Sequence, residues 1–160
     1  FIPDGEKWPV SPERKASGRP YAPFPYAYDL KNNLAVGQAN WFIVPLDPGR
    51  AAFYALLPGP VPPMALEVPK SATRGEPVVL RLSVPGARGL HAIKISAVQP
   101  DGTPAKFWNQ TVQVGKEPVA VTLPLAFNDP LGAWKITCTD LFSSETAQTV
   151  VLDVKESSPL

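Results

Sequence analysis

The 160-residue sequence contains one cysteine and one histidine, and this scarcity limits the chemistry open to the chain. A single cysteine excludes an internal disulfide. Cys138 shares strand parity with apolar neighbours, so we predict a buried, inert thiol rather than a nucleophile. His91 has no second histidine or cysteine at metal-ligand spacing, which argues against a zinc site. We therefore predict a partly exposed structural histidine, no metal site and no cofactor.

The sequence also lacks an excess of charge and a long hydrophobic run. Fifteen basic residues oppose 14 acidic ones, for a formal net charge of +1, and no basic stripe indicates a nucleic-acid partner. The longest apolar runs, such as residues 51–57, are far too short to span a bilayer. No signal peptide is recognisable, and the first residue is Phe1 rather than methionine. We expect an excised or processed piece of a larger protein.

Catalytic signatures are missing as well. The sequence has no nucleophile-elbow, P-loop or dinucleotide-binding motif. Its acidic residues are scattered through predicted turns and strand ends, where carboxylates usually form turns, although a glycosidase needs two that face each other across a cleft. The acidic residues considered are Asp101, Asp129, Asp140 and Glu145. The sequence therefore predicts a protein that is not an enzyme and has no catalytic residue.

What the sequence does contain is a regular series of short strands between residues 64 and 155. In residues 132–140, Trp134, Ile136 and Cys138 alternate with polar residues, so one face of this strand is apolar. Turn signals separate most of the strands, as in residues 100–103, where proline presets φ and glycine accepts a positive φ. The pattern predicts an all-β fold with a seven-stranded immunoglobulin-like sandwich. The predicted strands are 64–68, 77–84, 90–98, one within 105–114, 119–125, 132–140 and 146–154.

The first 63 residues are rich in proline, which disfavours helices and favours extended chain. Residues 1–28 also carry six aromatic residues, so we predict an extended strap whose rings lie on a neighbouring surface. Residues 41–44 and 51–57 are predicted to form a β-hairpin through a turn at 47–50. A stiff proline-rich connector follows at 58–63. The predicted domains are 1–62 for the strap and hairpin, 63–156 for the sandwich and 157–160 for a tail.

Aromatic side chains are the candidates for ligand or partner contact. Phe107 and Trp108 are adjacent, so in a strand their rings would point to opposite faces and one would lie outside the core. Packing under the strap is the structural alternative for the exposed ring. Asn109, with Thr111 two residues later, fits the three-residue glycosylation sequon. The candidate contact residues are Trp41, Tyr54, Phe107 and Trp108.

Several motifs resemble those of immunoglobulin-like and macroglobulin-like β-sandwich modules of large bacterial surface and secreted proteins. They are Val98-Gln-Pro-Asp-Gly102, Leu125-Ala-Phe-Asn-Asp-Pro130 and Gly132-Ala-Trp-Lys-Ile136 followed by Asp140. With Phe53-Tyr-Ala-Leu-Leu-Pro58 and Arg74-Gly-Glu-Pro77, residues 50–155 are similar to the C-terminal region of large β-galactosidase-like proteins. In such enzymes the catalytic carboxylates belong to a separate barrel, so the resemblance transfers no site residue.

The resemblance implies a non-catalytic accessory or spacer module of a larger bacterial protein, in an extracellular or periplasmic compartment. The expected partners are neighbouring domains of the parent chain, with a homo-oligomer also open. A carbohydrate-binding accessory module of a glycoside hydrolase is the alternative, and it requires a coplanar row of exposed aromatic rings. An enzyme in its own right is a third hypothesis, which requires a polar cleft.

Overall fold

The computed structural model describes residues 8–9, 26–37, 41–42 and 49–157. The fold is all-β, and the only helices in these ranges are two single 3₁₀ turns. Contacts group the chain into two compact units, residues 1–61 and 62–160. No helix in the described ranges has the length and hydrophobicity needed to cross a bilayer.

The described part of the first unit contains two small antiparallel sheets. Strand β1 (Trp8–Pro9) pairs with β4 (Trp41–Phe42), while β2 (Tyr26–Asp29) lies between β3 (Leu34–Gly37) and β5 (Tyr54–Leu57). The turn between β2 and β3 is held by the Asp29 carboxylate, which accepts hydrogen bonds from the backbone N–H groups of Lys31 and Asn32. This geometry follows from the sequence, because aspartate is a strong turn former.

The predicted hairpin of residues 41–44 and 51–57 is wrong in the described residues. Trp41–Phe42 pairs with β1, and β5 pairs with β2 instead. The predicted strap lies mostly outside the described residues, but its last part is strand β2. There the Tyr28 side chain is buried, and its hydroxyl accepts a hydrogen bond from the Val61 N–H at 2.9 Å. Distant pairing partners outcompeted the local turn, which is common for short strands that are marginal as an isolated hairpin.

The second unit contains a three-stranded and a five-stranded sheet. The three-stranded sheet has the order β11-β8-β6, and the five-stranded sheet has the order β10-β9-β12-β13-β7. All pairs are antiparallel except β13 and β7, which are parallel. The strands are β6 (Ala65–Glu67), β7 (Ser71–Thr73), β8 (Val78–Ser83), β9 (His91–Val98), β10 (Gln110–Val114), β11 (Val119–Leu123), β12 (Gly132–Asp140) and β13 (Gln148–Lys155).

The two sheets share one apolar core, so the second unit is sandwich-like. Inward residues of β8 and β11 come from one sheet, and those of β9, β12 and β13 come from the other. Strand β12 shows the cause clearly, because Trp134, Ile136 and Cys138 are buried as the alternation predicted. The largest fully buried side chains include Trp108, Trp134, Leu80, Leu82, Ile93, Ile95, Leu123, Ile136 and Leu152.

Each predicted sandwich segment overlaps an observed strand, but the count of seven is corrected to eight in the described part of this unit. The additional strand is β7, which has three residues and pairs with the remote β13. The fourth predicted strand is β10, which lies within the predicted segment 105–114, and Phe107 and Trp108 precede it instead of lying in a strand. They belong to a 3₁₀ turn at Lys106–Trp108. The hydrogen bond from the Ala105 N–H to the Ala97 carbonyl holds the start of this turn against β9.

The pairing register gives the sandwich two distinct ends. At the first end lie the start of β9 and the ends of β10 and β12, since His91 is opposite Val114 and Asp140 is opposite Ile93. At the second end lie the 3₁₀ turn and the loop of residues 124–131. The turn at Gly75 joins them there, where the Gly75 N–H donates to the Leu125 carbonyl. The two candidate functional sites described below lie one at each of these ends.

Candidate functional site

A buried polar pair occupies the first end of the sandwich. His91 opens β9 and Asp140 closes the neighbouring β12. The His91 Nδ1 atom lies 2.6 Å from the Asp140 Oδ2 atom, and both side chains are buried. The prediction of a partly exposed His91 is therefore wrong, since the residue is 6% exposed. This burial follows from strand parity, because His91 lies on the same inward face of β9 as Ile93 and Ile95.

Asp140 accepts a second hydrogen bond in addition to the one from the His91 imidazole. Its Oδ1 atom accepts a hydrogen bond from the Phe142 N–H at 2.9 Å, and the Phe142 ring meets the His91 ring edge-on with centroids 5.4 Å apart. An ionised carboxylate only accepts hydrogen bonds, so it selects the imidazole form with a proton on Nδ1. The pair therefore fixes the ring orientation and ties the central strands together with the loop that follows β12.

A histidine oriented by a carboxylate is also a frequent part of catalytic and metal sites. Such chemistry needs further groups around the imidazole. In the described part of the chain, no group of three or more histidine, cysteine, aspartate or glutamate side chains is arranged to hold a metal ion. What the geometry supports directly is a structural connection between β9 and β12.

Sequence reasoning missed the partner of His91, although a signal was present. Asp140 has the same parity as Ile136 and Cys138, so its side chain had to point inward at the end of β12. A buried carboxylate needs hydrogen-bond donors. His91 was the only polar residue with inward parity in β9, so the two could have been matched. The residues are 49 positions apart in sequence, which is why no local pattern joined them.

Two tryptophans underlie the second end. The Trp108 and Trp134 rings have centroids 4.7 Å apart and are fully buried. Each indole N–H is satisfied, because Trp108 donates to the Pro124 carbonyl at 2.6 Å and Trp134 donates to the Pro130 carbonyl at 2.9 Å. These bonds attach the 124–131 loop to the core. The prediction that Trp134 is buried is thus confirmed.

Exposed apolar side chains lie at the same end of the sandwich as the buried Trp108 and Trp134 rings. Phe107 is 56% exposed and Phe127 is 75% exposed, and Leu131 is exposed as well. Phe107 lines an open recess of about 260 Å³ together with Pro124, Leu125, Ala126 and Asp129. We call Phe107, Phe127, Leu131 and this recess the apolar end face.

Local structure explains how the end face is presented. The Asp129 carboxylate accepts a hydrogen bond from the Ala126 N–H at 2.7 Å and so closes the loop that carries Phe127. The Phe127 ring packs directly over Gly75, whose φ is +80°. A side chain at that position would meet the ring, so glycine allows the contact as well as the turn.

The four predicted contact residues have different environments. Phe107 is exposed on the end face, whereas Trp108 is buried and cannot present its ring to a ligand. Tyr54 is half-buried in β5, where burial, with a smaller contribution from the Asp29 charge, raises the pKa of its hydroxyl. The Trp41 side chain lies outside the described residues. Trp108 is therefore removed from the candidates because its ring is part of the core.

No known protein-family profile and no curated protein matches this chain. Among solved structures it is similar to a superoxide reductase (neelaredoxin) from Ignicoccus hospitalis. That match has 13% identity and a TM-score of 0.41, and covers 58% of this chain and 80% of that chain. It is also similar to the Pseudomonas fluorescens alkylpurine DNA glycosylase AlkC, solved bound to DNA containing an abasic site analog. Here the identity is 10%, the TM-score 0.34, and the coverage 57% of this chain and 31% of that chain. Neither likeness is close enough to assign a function.

Proposed function

We propose that residues 63–156 form an immunoglobulin-like module that acts as a non-catalytic accessory or spacer domain of a larger bacterial protein. The strand order supports this architecture. The first strand segment is divided between the two sheets, since β6 is antiparallel to β8 while β7 is parallel to β13. Two mainly antiparallel sheets around one core, linked by connections that pass between them, are typical of immunoglobulin-like sandwiches.

The apolar end face is the observation that supports a role in packing against another domain. Phe107 and Phe127 keep 56% and 75% of their surface exposed, although buried tryptophans and backbone hydrogen bonds hold their loops in place. Exposed aromatic residues on ordered loops are typical of surfaces that pack against another protein. The partner that we propose is a neighbouring domain of the same parent polypeptide, in an extracellular or periplasmic protein.

Hydrogen exchange tests this proposal. The amides of residues 105–109 and 125–131 should exchange more slowly in the complete gene product than in the chain alone, because the partner domain covers them. Exchange at residues 86–90, at the other end of the sandwich, serves as the internal control. Equal exchange of the end-face amides in both proteins would refute packing through this face.

A variant pair sharpens the test. Changing Phe107 and Phe127 together to serine should cost the isolated chain about 1 kcal/mol or less, since both rings are largely exposed. In the complete protein each ring buried at an interface contributes about 1.5–3 kcal/mol, so the same change should lower its melting temperature much more. Leu90→Ser, an equally exposed apolar residue at the other end, should affect both proteins alike. A similar loss in both proteins for the double variant would contradict the proposal.

A carbohydrate-binding accessory module is the second candidate, and the recess beside Phe107 favours it. An exposed ring next to a polar group can stack on a sugar face while the polar group accepts hydrogen bonds. A glycan array followed by calorimetry tests this function. Binding that is lost in Phe107→Ala and retained in Leu90→Ala would replace the spacer hypothesis. A screen of aryl glycosides tests the enzyme hypothesis, and we expect no turnover.

A further inference from the structure

Asn109 is the acceptor position of the only Asn-x-Ser/Thr sequon in the sequence, with Gln110 in the middle and Thr111 as the hydroxyl residue. It follows the 3₁₀ turn at Lys106–Trp108 and is extended, with φ −69° and ψ 114°. Its side chain is exposed. The Asn109 backbone is ordered, because its N–H donates a hydrogen bond to the Lys106 carbonyl at 3.1 Å. The side-chain amide therefore projects from an ordered turn.

Phe107 lies two residues before this asparagine, on the same turn. Two residues span at most about 7 Å, which limits the separation between the α-carbons of Phe107 and Asn109. Trp108 and Trp134 meet that ring edge-on with centroid distances of 6.1 and 6.4 Å. Their contact steadies the ring and leaves it 56% exposed. A pyranose has an apolar C–H face that can pack on such a ring through dispersion.

We propose that Asn109 accepts an N-linked glycan when the chain passes through a secretory pathway that contains an oligosaccharyltransferase, and that Phe107 packs against the first sugar of the attached glycan. In the reaction, the Asn109 Nδ2 atom bonds to the anomeric carbon of a lipid-linked oligosaccharide pyrophosphate. The bond from that carbon to the pyrophosphate oxygen breaks, and the lipid pyrophosphate leaves with the electron pair. The amide proton goes to a base of the oligosaccharyltransferase. No step uses a group of this chain beyond the sequon.

The position gives the modification a structural consequence. Strand β10 begins at Gln110 and forms an edge of the five-stranded sheet. Edge strands expose unpaired backbone groups to other chains. A glycan at Asn109 stands at the start of this edge and hinders pairing with a second molecule. This inference is independent of the spacer function proposed above.

Expression through the secretory pathway of a cultured human cell line tests the acceptor site. The secreted chain should migrate as a larger species that peptide-N-glycosidase converts to the unmodified size. Asn109→Gln and Thr111→Ala should each abolish the shift, because one removes the acceptor amide and the other removes the hydroxyl of the sequon. Asn128→Gln, an exposed asparagine outside any sequon, should leave it unchanged. An unshifted wild-type chain would overturn the proposal.

Thermal unfolding tests the contact with Phe107. The glycan is trimmed to its first sugar, and this form is compared with the unglycosylated chain made in bacteria, because peptide-N-glycosidase leaves aspartate at position 109. We expect the first sugar to raise the melting temperature by about 2–4 °C, as a contact of about 1 kcal/mol would. The increase should disappear in Phe107→Ala and persist in Phe127→Ala. An equal increase in wild type and Phe107→Ala would refute the packing.

Discussion

Removal of the Asp140 carboxylate is the most direct test of the buried polar pair. Asp140→Ala deletes the acceptor of two hydrogen bonds, those from His91 Nδ1 and from the Phe142 N–H. An unsatisfied buried donor costs about 1–3 kcal/mol, and Asp140→Ala leaves two such donors. Asp140 is 1% exposed, so water cannot easily replace the lost acceptor. We expect a loss of about 3–5 kcal/mol in the free energy of unfolding.

Urea unfolding followed by tryptophan fluorescence measures this loss, because Trp108 and Trp134 are buried in the core. A double-mutant cycle with His91→Ala should give a coupling energy of at least about 1.5 kcal/mol, since the two side chains are in contact. Glu117→Ala, which removes an exposed carboxylate, is the control and should cost about 0.5 kcal/mol or less. A loss below about 1 kcal/mol for Asp140→Ala, or additive single effects, would refute the role assigned to the pair.

Three further predictions concern the core and one turn. Trp134→Ala should cost about 3–5 kcal/mol by leaving a cavity, and a urea midpoint near that of wild type would contradict the register of β12. Burial raises the pKa of the Cys138 thiol to about 11. The folded state thus keeps the proton that the unfolded chain loses near pH 9, so stability should fall between pH 9 and 11, and the fall should be smaller in Cys138→Ala. Gly75→Ala should cost about 1–2 kcal/mol in urea unfolding, because φ is +80° and the new methyl group meets the Phe127 ring. An unchanged midpoint would mean that the turn can relax freely.

Local patterns predicted the strands of the sandwich well where one face of a strand is buried. Strand β12 runs from Gly132 to Asp140 as predicted, because alternation along nine residues allows only one face to point inward. The turn at residues 100–103 also formed as expected. Gly102 has φ +89°, and the Asp101 carboxylate accepts the Thr103 N–H at 2.8 Å. Both features depend on interactions between near neighbours in the sequence.

The features that sequence reasoning missed depend on remote partners. Strand β7 exists because Ser71–Thr73 meets β13 about 80 residues later. The predicted hairpin of the first unit gave way to pairing of β5 with β2. Phe107 and Trp108 have the high strand propensity of aromatic residues. They form a 3₁₀ turn because a buried indole and a backbone bond to Ala97 hold them there.

The same division applies to the candidate sites. Composition and parity determined from the sequence alone that this is an all-β chain whose Trp134 and Cys138 lie in the core, because alternation requires only the residue's own strand. The tertiary structure decided that His91 contacts Asp140 and that Phe107 rather than Trp108 faces outward. Those outcomes depend on which strand ends lie next to each other in the folded protein. That arrangement is determined by the packing of the whole core and not by any one strand.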